Sequence, residues 1–392
     1  MFIHEKTWKQ YSFIFRAPLF YGFVIYIISR ITKSGKLLGK HDMKIDEMLK
    51  EIKPPDEAAM DLCRRKWNSI AKPLHGMGRL EEAIIQCAGI INTAKVVFDR
   101  KLLITMCADN GVVCEGVSQS GQNVTRIVSD NFFRGETTAC IMSRYAGADV
   151  WPVDIGVADD TLIENRKIAR GSANMAKGPA MSRNDAQNAI LVGIDKMRQA
   201  KEAGYNIVAT GEMGIGNTTT SAAVASVLLD MPPREAAGRG AGMDSATFAN
   251  KIDVIKRSIE VNNPDKNDVI DVLSKVGGFD ICGMCGLFIG GAVYRLPVVI
   301  DGLISSVAAL CAVRIDEKVK DFILPSHESK EPAAGAVLKA IGLEPYLKLG
   351  MHLGEGTGAV ALFPILDLAL EIYYKMVSFT DINIDQYEEY EN

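Results

Sequence analysis

The sequence has no surplus of either charge. Lysine and arginine number 44 against 48 acids, a formal net of −4 at pH 7 that argues against the basic surface nucleic-acid binding requires. Histidine is scarce, five in 392 residues. His75, His327 and His352 fall in no HExxH or close-pair spacing, so no metal site is indicated. A GxSxG elbow is absent, and no local signature pairs a cysteine with a histidine as a nucleophile. The eight cysteines lack disulfide-dense spacing, which favours a reducing compartment, the cytoplasm. Cys282 and Cys285 form a CxxC in FDICGMCG, but further zinc ligands and a preceding thioredoxin-like strand are both missing. Buried packing is their expected role.

The N-terminal region lacks a run long enough to span a bilayer. Its apolar stretch at 17–28 is twelve residues, short of the roughly 20 required. Around it, Lys6, Lys9, Arg16, Arg30, Lys33, Lys36 and Lys40 stand against Glu5 and Asp42, a net of +5 over residues 1–42. No clear small-x-small cleavage site follows. This segment is expected to be either a peripheral tail, where alone membrane contact could occur, or an unused upstream start with Met43 as the real beginning.

From Met43 onward the patterning is that of a folded chain. KIDEMLKEI reads as a short amphipathic helix stopped by Pro54, and Pro55-Asp56-Glu57 opens a second helix running to about Ile70. A third runs from Leu80 to about Thr93. Three helices before any strand predict a lobe packed on a later core. Four continuous apolar runs then read as buried strands: KLLITMCAD ending at Asp109, ADVWPVDIGV with Asp154, YNIVATGE ending at Glu212, and LPVVIDG with Asp301. Helices are predicted at 122–145, 183–203, 219–229, 246–261 and 305–315. The fold class is therefore α/β, a mostly parallel sheet with helices on both faces. Acids at strand C-termini matter because open α/β sheets bind ligands outside those ends.

Glycine marks the loops that carry chemistry. In GEMGIGNTTT, Gly211, Gly214 and Gly216 permit tight backbone, and Asn217 and Thr218 offer donors just ahead of a helix dipole, a geometry for phosphate or ribose oxygens. It is neither a Walker A loop nor a dinucleotide fingerprint. GRGAGMDS supplies a second glycine loop, with Gly240 and with Arg239 as an anion partner. Lys251 follows on the next helix, where a lysine ordinarily faces solvent. CADNGVVCEGVSQSGQNVT is dense in polar side chains (Asp109, Asn110, Ser118, Gln122, Thr125) and reads as a binding loop. Near the C-terminus, Gly350, Gly354, Gly356 and Gly358 surround a single acid, Glu355, before a helix expected at 360–376. The plain alternative is an acidic first turn with Thr357 as its cap. These residues point to a phosphate- and sugar-binding enzyme working with carboxylates, without metal or dinucleotide. They leave the reaction type open.

GEMGIGNTTT, GRGAG, GGFDICGMCG, LPVVIDGLISSVAAL, SHESKEP and HLGEGTGA, in this order over about residues 45–376, resemble the nicotinate-nucleotide:dimethylbenzimidazole phosphoribosyltransferase family of cobalamin synthesis. The resemblance implies transfer of the 5-phosphoribosyl group of nicotinate mononucleotide to a lower-ligand base, 5,6-dimethylbenzimidazole, with inversion. The products are α-ribazole 5′-phosphate and nicotinate. It further implies a Rossmann-like domain over 96–325, a smaller helical lobe built from 43–95 and 326–392, no cofactor, and a homodimer with active sites near the interface. Residue by residue, it makes Glu355 the general base and places Glu212 and Lys251 close to the reacting sugar. With the loop reading, substrate contacts are expected from Asp109, Ser118, Gln122, Gly214, Gly216, Asn217, Thr218, Arg239, Gly240, Asp301, Gly354 and Gly356.

The chain departs from the family pattern in places. KPLHGMG stands where KPPGSLG is common, Asn110 where ADHG has histidine, Ser120-Gly121-Gln122 where YPQ is usual, and the CxxC where two small residues are usual. The changes at Asn110 and Ser120-Gly121 are expected to touch the base pocket. Two other readings stay open: a sibling transferase for another benzimidazole or a phenolic base, decided by the lining around 118–122, and a non-catalytic nucleotide-binding protein. Glu355 inside an intact glycine frame argues against the second.

Overall fold

The computed structural model describes residues 44–240 and 242–388. The expectations placed on residues 1–42 and on a start at Met43 lie outside them. Helix α1 (Ile45–Leu49) buries Ile45 and Met48. Asp56 caps α2 (Glu57–Ser69) by accepting from the Ala59 N–H at 2.8 Å, and α3 (Arg79–Ile91) ends on a left-handed Asn92. The α/β part follows as β1 (Lys101–Ala108), α4 (Asn123–Arg134), α5 (Thr138–Tyr145), β2 (Ala148–Gly156), β3 (Glu164–Asn165), α6 (Arg183–Glu202), β4 (Ile207–Met213) and α7 (Asn217–Leu228). Next come the short α8 (Pro233–Ala236), α9 (Ser245–Asn262), α10 (Val269–Val276), α11 (Phe279–Tyr294), β5 (Val298–Ile300) and α12 (Leu303–Ile315). Strand β6 (Ile323–Pro325), α13 (Ala334–Ile341) and α14 (Thr357–Lys375) complete the order.

All six strands are parallel, in the order β3-β2-β1-β4-β5-β6, the doubly wound Rossmann arrangement. Strand β1 is buried along its whole length, as its unbroken apolar run requires of a central parallel strand. Its register against β4 pairs Met106 with Glu212, which fixes that carboxylate at the C-terminal edge of the sheet. Helices from both chain ends form the smaller lobe. Trp67 of α2 packs on Tyr373 of α14 with ring centroids 5.0 Å apart, and the Tyr373 hydroxyl donates to the Ala94 carbonyl at 3.0 Å. Helix α14 is long and apolar enough to cross a membrane, but 56% of its apolar window is buried inside the protein, as a core helix demands.

The structure corrects several expected elements. The helix expected at 122–145 is two, because Gly135 closes α4 at φ +73° and the Thr137 side chain accepts from Cys140 N–H to start α5. Strands β3 and β6, of two and three residues, are too short to show a period. Helix α11 carries Gly283, Gly286, Gly290 and Gly291, a composition that lowers helix propensity. The cause is tertiary. A Cβ on Gly193 of α6 would lie 2.8 Å from the Gly286 Cα, so the two helices meet backbone to backbone. Cys282 and Cys285, on the same helix, are fully buried beside Cys311 of α12. Helix α14 begins at Thr357 rather than 360, and Thr357 does not cap it: its hydroxyl donates to the Gly354 carbonyl at 2.8 Å.

Candidate active site

A cavity of about 200 Å³ opens at the C-terminal ends of β4 and β5. Beyond β4 the chain turns through Gly214-Ile215-Gly216. Gly216 sits at φ +94°, and a Cβ there would stand 2.7 Å from Val113. Helix α7 then starts with no side-chain cap, and α12 starts in the same way at Gly302. Gly214–Thr218 and Gly302–Ser305 line one cavity, so two helix N-termini direct partial positive charge into it. Lys251 stands behind this wall. It is fully buried on α9, its Nζ donating to Thr218 Oγ1 at 2.8 Å and to the Gly238 carbonyl at 3.0 Å. Burial pulls its pKa down to about 8, against the opposing pull of Glu331.

The Glu355 loop faces these helix ends. Gly354, Glu355 and Gly356 lie at φ +88°, +64° and +93°, three successive left-handed residues. For the glutamate this costs about 1–2 kcal/mol. Surrounding bonds hold it: the Glu355 N–H donates to Glu212 Oε1 at 3.4 Å, and Glu355 Oε2 accepts from the Ala139 N–H of α5 at 3.3 Å. The N–H groups of Gly356, Gly358 and Ala359 donate to the Asp301 carboxylate at 3.1, 2.7 and 3.2 Å. Asp301 is thus the cap of α14. That helix end is closed to a substrate anion, in contrast to α7 and α12.

The carboxyls differ in state. Burial pushes Glu212 up to about 8, with Asp280 and Asp301 adding to the shift, so Glu212 carries a proton at neutral pH. The Asn217 side-chain amide donates to its Oε2. Glu355 is half-buried; burial raises its pKa while the Ala139 N–H works the other way. An acid with raised affinity for protons at a cavity mouth is chemically suited to general base work.

Of the residues expected from sequence, Ser118, Glu212, Gly214, Gly216, Asn217, Thr218, Gly240, Asp301, Gly354 and Glu355 line the cavity. Lys251 is not solvent-facing but buried behind the wall, and Gly356 lies directly behind Glu355. Three more lie outside the lining. Asp109 accepts from the Ala158 N–H at 2.8 Å, Gln122 Nε2 reaches the Asn110 carbonyl at 3.5 Å, and Arg239 donates to the Met243 carbonyl at 2.8 Å while covering Phe248. Asn110 is fully buried, and neither it nor Ser120-Gly121 lines the cavity, so those departures do not form its wall. Residues the loop reading passed over include Ser305, His327, Ser329, Glu331 and His352. The polar density of SHESKEP was the available signal for His327, Ser329 and Glu331. A Cβ on Gly358 would strike the buried His327 ring, which explains the glycine after Thr357. Among the described residues no group of three or more histidines, cysteines or acids is placed to hold a metal ion.

Fold and cavity together make a doubly wound α/β protein that offers an anionic ligand two helix N-termini and a half-buried carboxylate of raised proton affinity. Comparison with known proteins narrows this. A phosphoribosyltransferase family model matches residues 52–384. The nicotinate-nucleotide–dimethylbenzimidazole phosphoribosyltransferase of Acetivibrio thermocellus is 48% identical over 345 residues, 87% of this chain and 98% of that protein. The enzyme of the same name from Clostridium acetobutylicum is 46% identical over 349 residues, 88% and 99% of the two chains. The crystal structure of CobT from Thermus thermophilus superposes with a TM-score of 0.80 at 33% identity, covering 84% of this chain and all of that one. The chain belongs to the nicotinate-nucleotide–dimethylbenzimidazole phosphoribosyltransferase family.

Proposed function

We propose that the chain transfers the 5-phosphoribosyl group of nicotinate mononucleotide to 5,6-dimethylbenzimidazole with inversion, giving α-ribazole 5′-phosphate and nicotinate, and that Glu355 is its general base. The observation that carries the roles is the opposition of Glu355, on its left-handed glycine frame, to the uncapped ends of α7 and α12 across one cavity. The phosphate binds at the uncapped N-terminus of α7 beside Gly216 and Thr218, with Lys251 fixing the Thr218 hydroxyl and adding positive charge behind it. Protonated Glu212 donates a hydrogen bond to the sugar. One benzimidazole nitrogen attacks the anomeric carbon opposite the departing nicotinate while Glu355 takes the proton from the other, so the product ring is neutral. Nicotinate leaves as a stable ring from a pyridinium-type bond and needs little acid assistance. Holding both substrates in line supplies much of the remaining acceleration.

The same reading includes a homodimer, supported by Phe133, Ile141 and Tyr145, which expose 63%, 56% and 89% of their surface on or beside the helix that contacts Glu355. It retains the division into a phosphoribosyl domain at 96–325 and a lobe from 43–95 and 326–392. Location in the cytoplasm agrees with eight unpaired cysteine thiols. The test is incubation with nicotinate mononucleotide and a panel of benzimidazole and phenolic acceptors, with products identified by mass. A dimethylbenzimidazole product dominating supports the assignment; a phenolic one alone would shift it to the sibling activity, and no product with any acceptor would refute transfer.

A further inference from the structure

The glycine turn after β4 is held from behind by a residue that the proposed chemistry does not use. Thr125, in the first turn of α4, is fully buried and lies outside the cavity lining. Its Oγ1 accepts from the Ile215 N–H at 3.1 Å, across 90 residues of chain. The backbone of Thr125 is committed elsewhere: its N–H donates to the Gln122 carbonyl at 3.0 Å, and its carbonyl accepts from Ser129 Oγ at 2.7 Å. The hydroxyl is what remains for the turn. On either side of Ile215, the glycines press on the end of β1 and the segment beyond it. A Cβ on Gly214 would stand 2.4 Å from the Ala108 carbonyl oxygen, and one on Gly216 would stand 2.7 Å from Val113. Further along, Lys251 Nζ donates to Thr218 Oγ1 at 2.8 Å, so the turn is tied at both ends.

The Thr125 bond decides which amides the turn can offer a ligand. A trans peptide is planar, with its N–H and C=O on opposite sides. The Gly214–Ile215 peptide spends its N–H on Thr125, and its carbonyl accepts from the Asn217 N–H at 3.2 Å. Two amides of the turn, those of Ile215 and Asn217, are thereby used within the protein. Among the described residues no partner takes the N–H of Gly216 or of Thr218, and both residues line the cavity. Glycine at 214 resists rotation of this peptide less than any other residue, so an outside anchor is needed to fix it. Without the Thr125 acceptor the Ile215 N–H is left unpaired, and a turned peptide also takes the acceptor away from Asn217. We propose that Thr125 is a positioning residue for the phosphate of nicotinate mononucleotide: by fixing the Gly214–Ile215 peptide, it leaves the Gly216 and Thr218 N–H groups as the pair that binds the anion. The inference rests on the phosphate placement proposed above. Thr125 touches no substrate; it acts through Ile215.

The test uses the full chain, wild type first. Amide hydrogen exchange read by NMR shows Ile215 protected without ligand, while Gly216 and Thr218 exchange freely and gain protection when inorganic phosphate is added. An Ile215 amide that is unprotected until phosphate arrives overturns the inference. Phosphate that leaves Gly216 and Thr218 unprotected overturns the phosphate placement and the inference with it. Variants then separate positioning from packing. Thr125→Val keeps the shape and removes the acceptor, and Thr125→Ser keeps the hydroxyl. By calorimetry, Thr125→Val raises Kd for nicotinate mononucleotide about tenfold or more, through loss of charge-assisted hydrogen bonds to the phosphate. Binding of nicotinate riboside, which lacks the phosphate, changes by less than about threefold, and Thr125→Ser stays within about threefold for both ligands. A folded Thr125→Val protein that binds both ligands as wild type does, or weakens both equally, overturns the role. If the amides and variants behave as stated but the wild type transfers no phosphoribosyl group, the cradle stands and the assigned reaction falls.

Discussion

Replacing Glu355 by glutamine isolates the basicity of one carboxylate. Glutamine has the same shape, and its amide oxygen can still accept from the Ala139 N–H, now at 3.3 Å from Glu355 Oε2. The backbone at φ +64° is set by Asp301 binding the N–H groups of Gly356, Gly358 and Ala359, none of which involves the side chain. Folding stability should therefore change by less than about 1 kcal/mol, with relief of a half-buried carboxylate offsetting a weakened hydrogen bond. What disappears is the acceptor for the benzimidazole proton. General base catalysis contributes about 100- to 10,000-fold, or about 3–5 kcal/mol of transition-state stabilisation. The phosphate cradle at α7 lies elsewhere in the cavity, so KM for nicotinate mononucleotide should stay within about threefold. The assay is steady-state nicotinate release with saturating dimethylbenzimidazole, together with a thermal melt to certify folding. A folded Glu355→Gln enzyme whose kcat/KM remains within about tenfold of wild type would refute the role.

Other outcomes follow from the same geometry. Gly356→Ala should cost about 2–5 kcal/mol, because alanine meets the left-handed penalty and overpacks against Leu103 and the Thr210 carbonyl, 3.1 Å from the new Cβ; urea melts measure it. Activity should be bell-shaped in pH. It falls on the acid side as Glu355, raised above its ordinary 4.5, takes up a proton, and on the alkaline side near 8 as Glu212 and Lys251 lose theirs. Stability should also fall from about pH 5 to 8, since the unfolded Glu212 ionises at about 4.5 while the folded one resists until about 8; melts of Glu212→Gln should lack that decline. EDTA should leave turnover unchanged, and restoration by one added divalent metal after loss would contradict this. A protein beginning at Met43 should retain full activity in the same assay, and N-terminal sequencing with fractionation from the native host should find a cytosolic species starting there.

Sequence patterning made the architecture legible, together with the glycine-framed acid that lines the cavity. Continuous apolar runs at β1, β2 and β4 are legible because a central parallel strand is buried on both faces, and Glu355 is legible because a lone acid among glycines has little packing purpose. Tertiary structure alone decided what each polar residue does. Asp301 and Asp109 both end strands, yet one caps α14 and the other holds the Ala158 N–H, since the partners come from 57 and 49 residues away. Lys251 reads as a surface lysine until the chain folds Thr218 and Gly238 over it. Glycines in α11 weaken any local helix signal, because their reason is contact with α6 at Gly286 and Gly290 and with the sheet at Gly283 and Gly291, neighbours distant in sequence. Periodicity and composition record a residue's own exposure and backbone freedom. Which distant donor completes a buried carboxylate is fixed only when the strands set their register and bring the loops together.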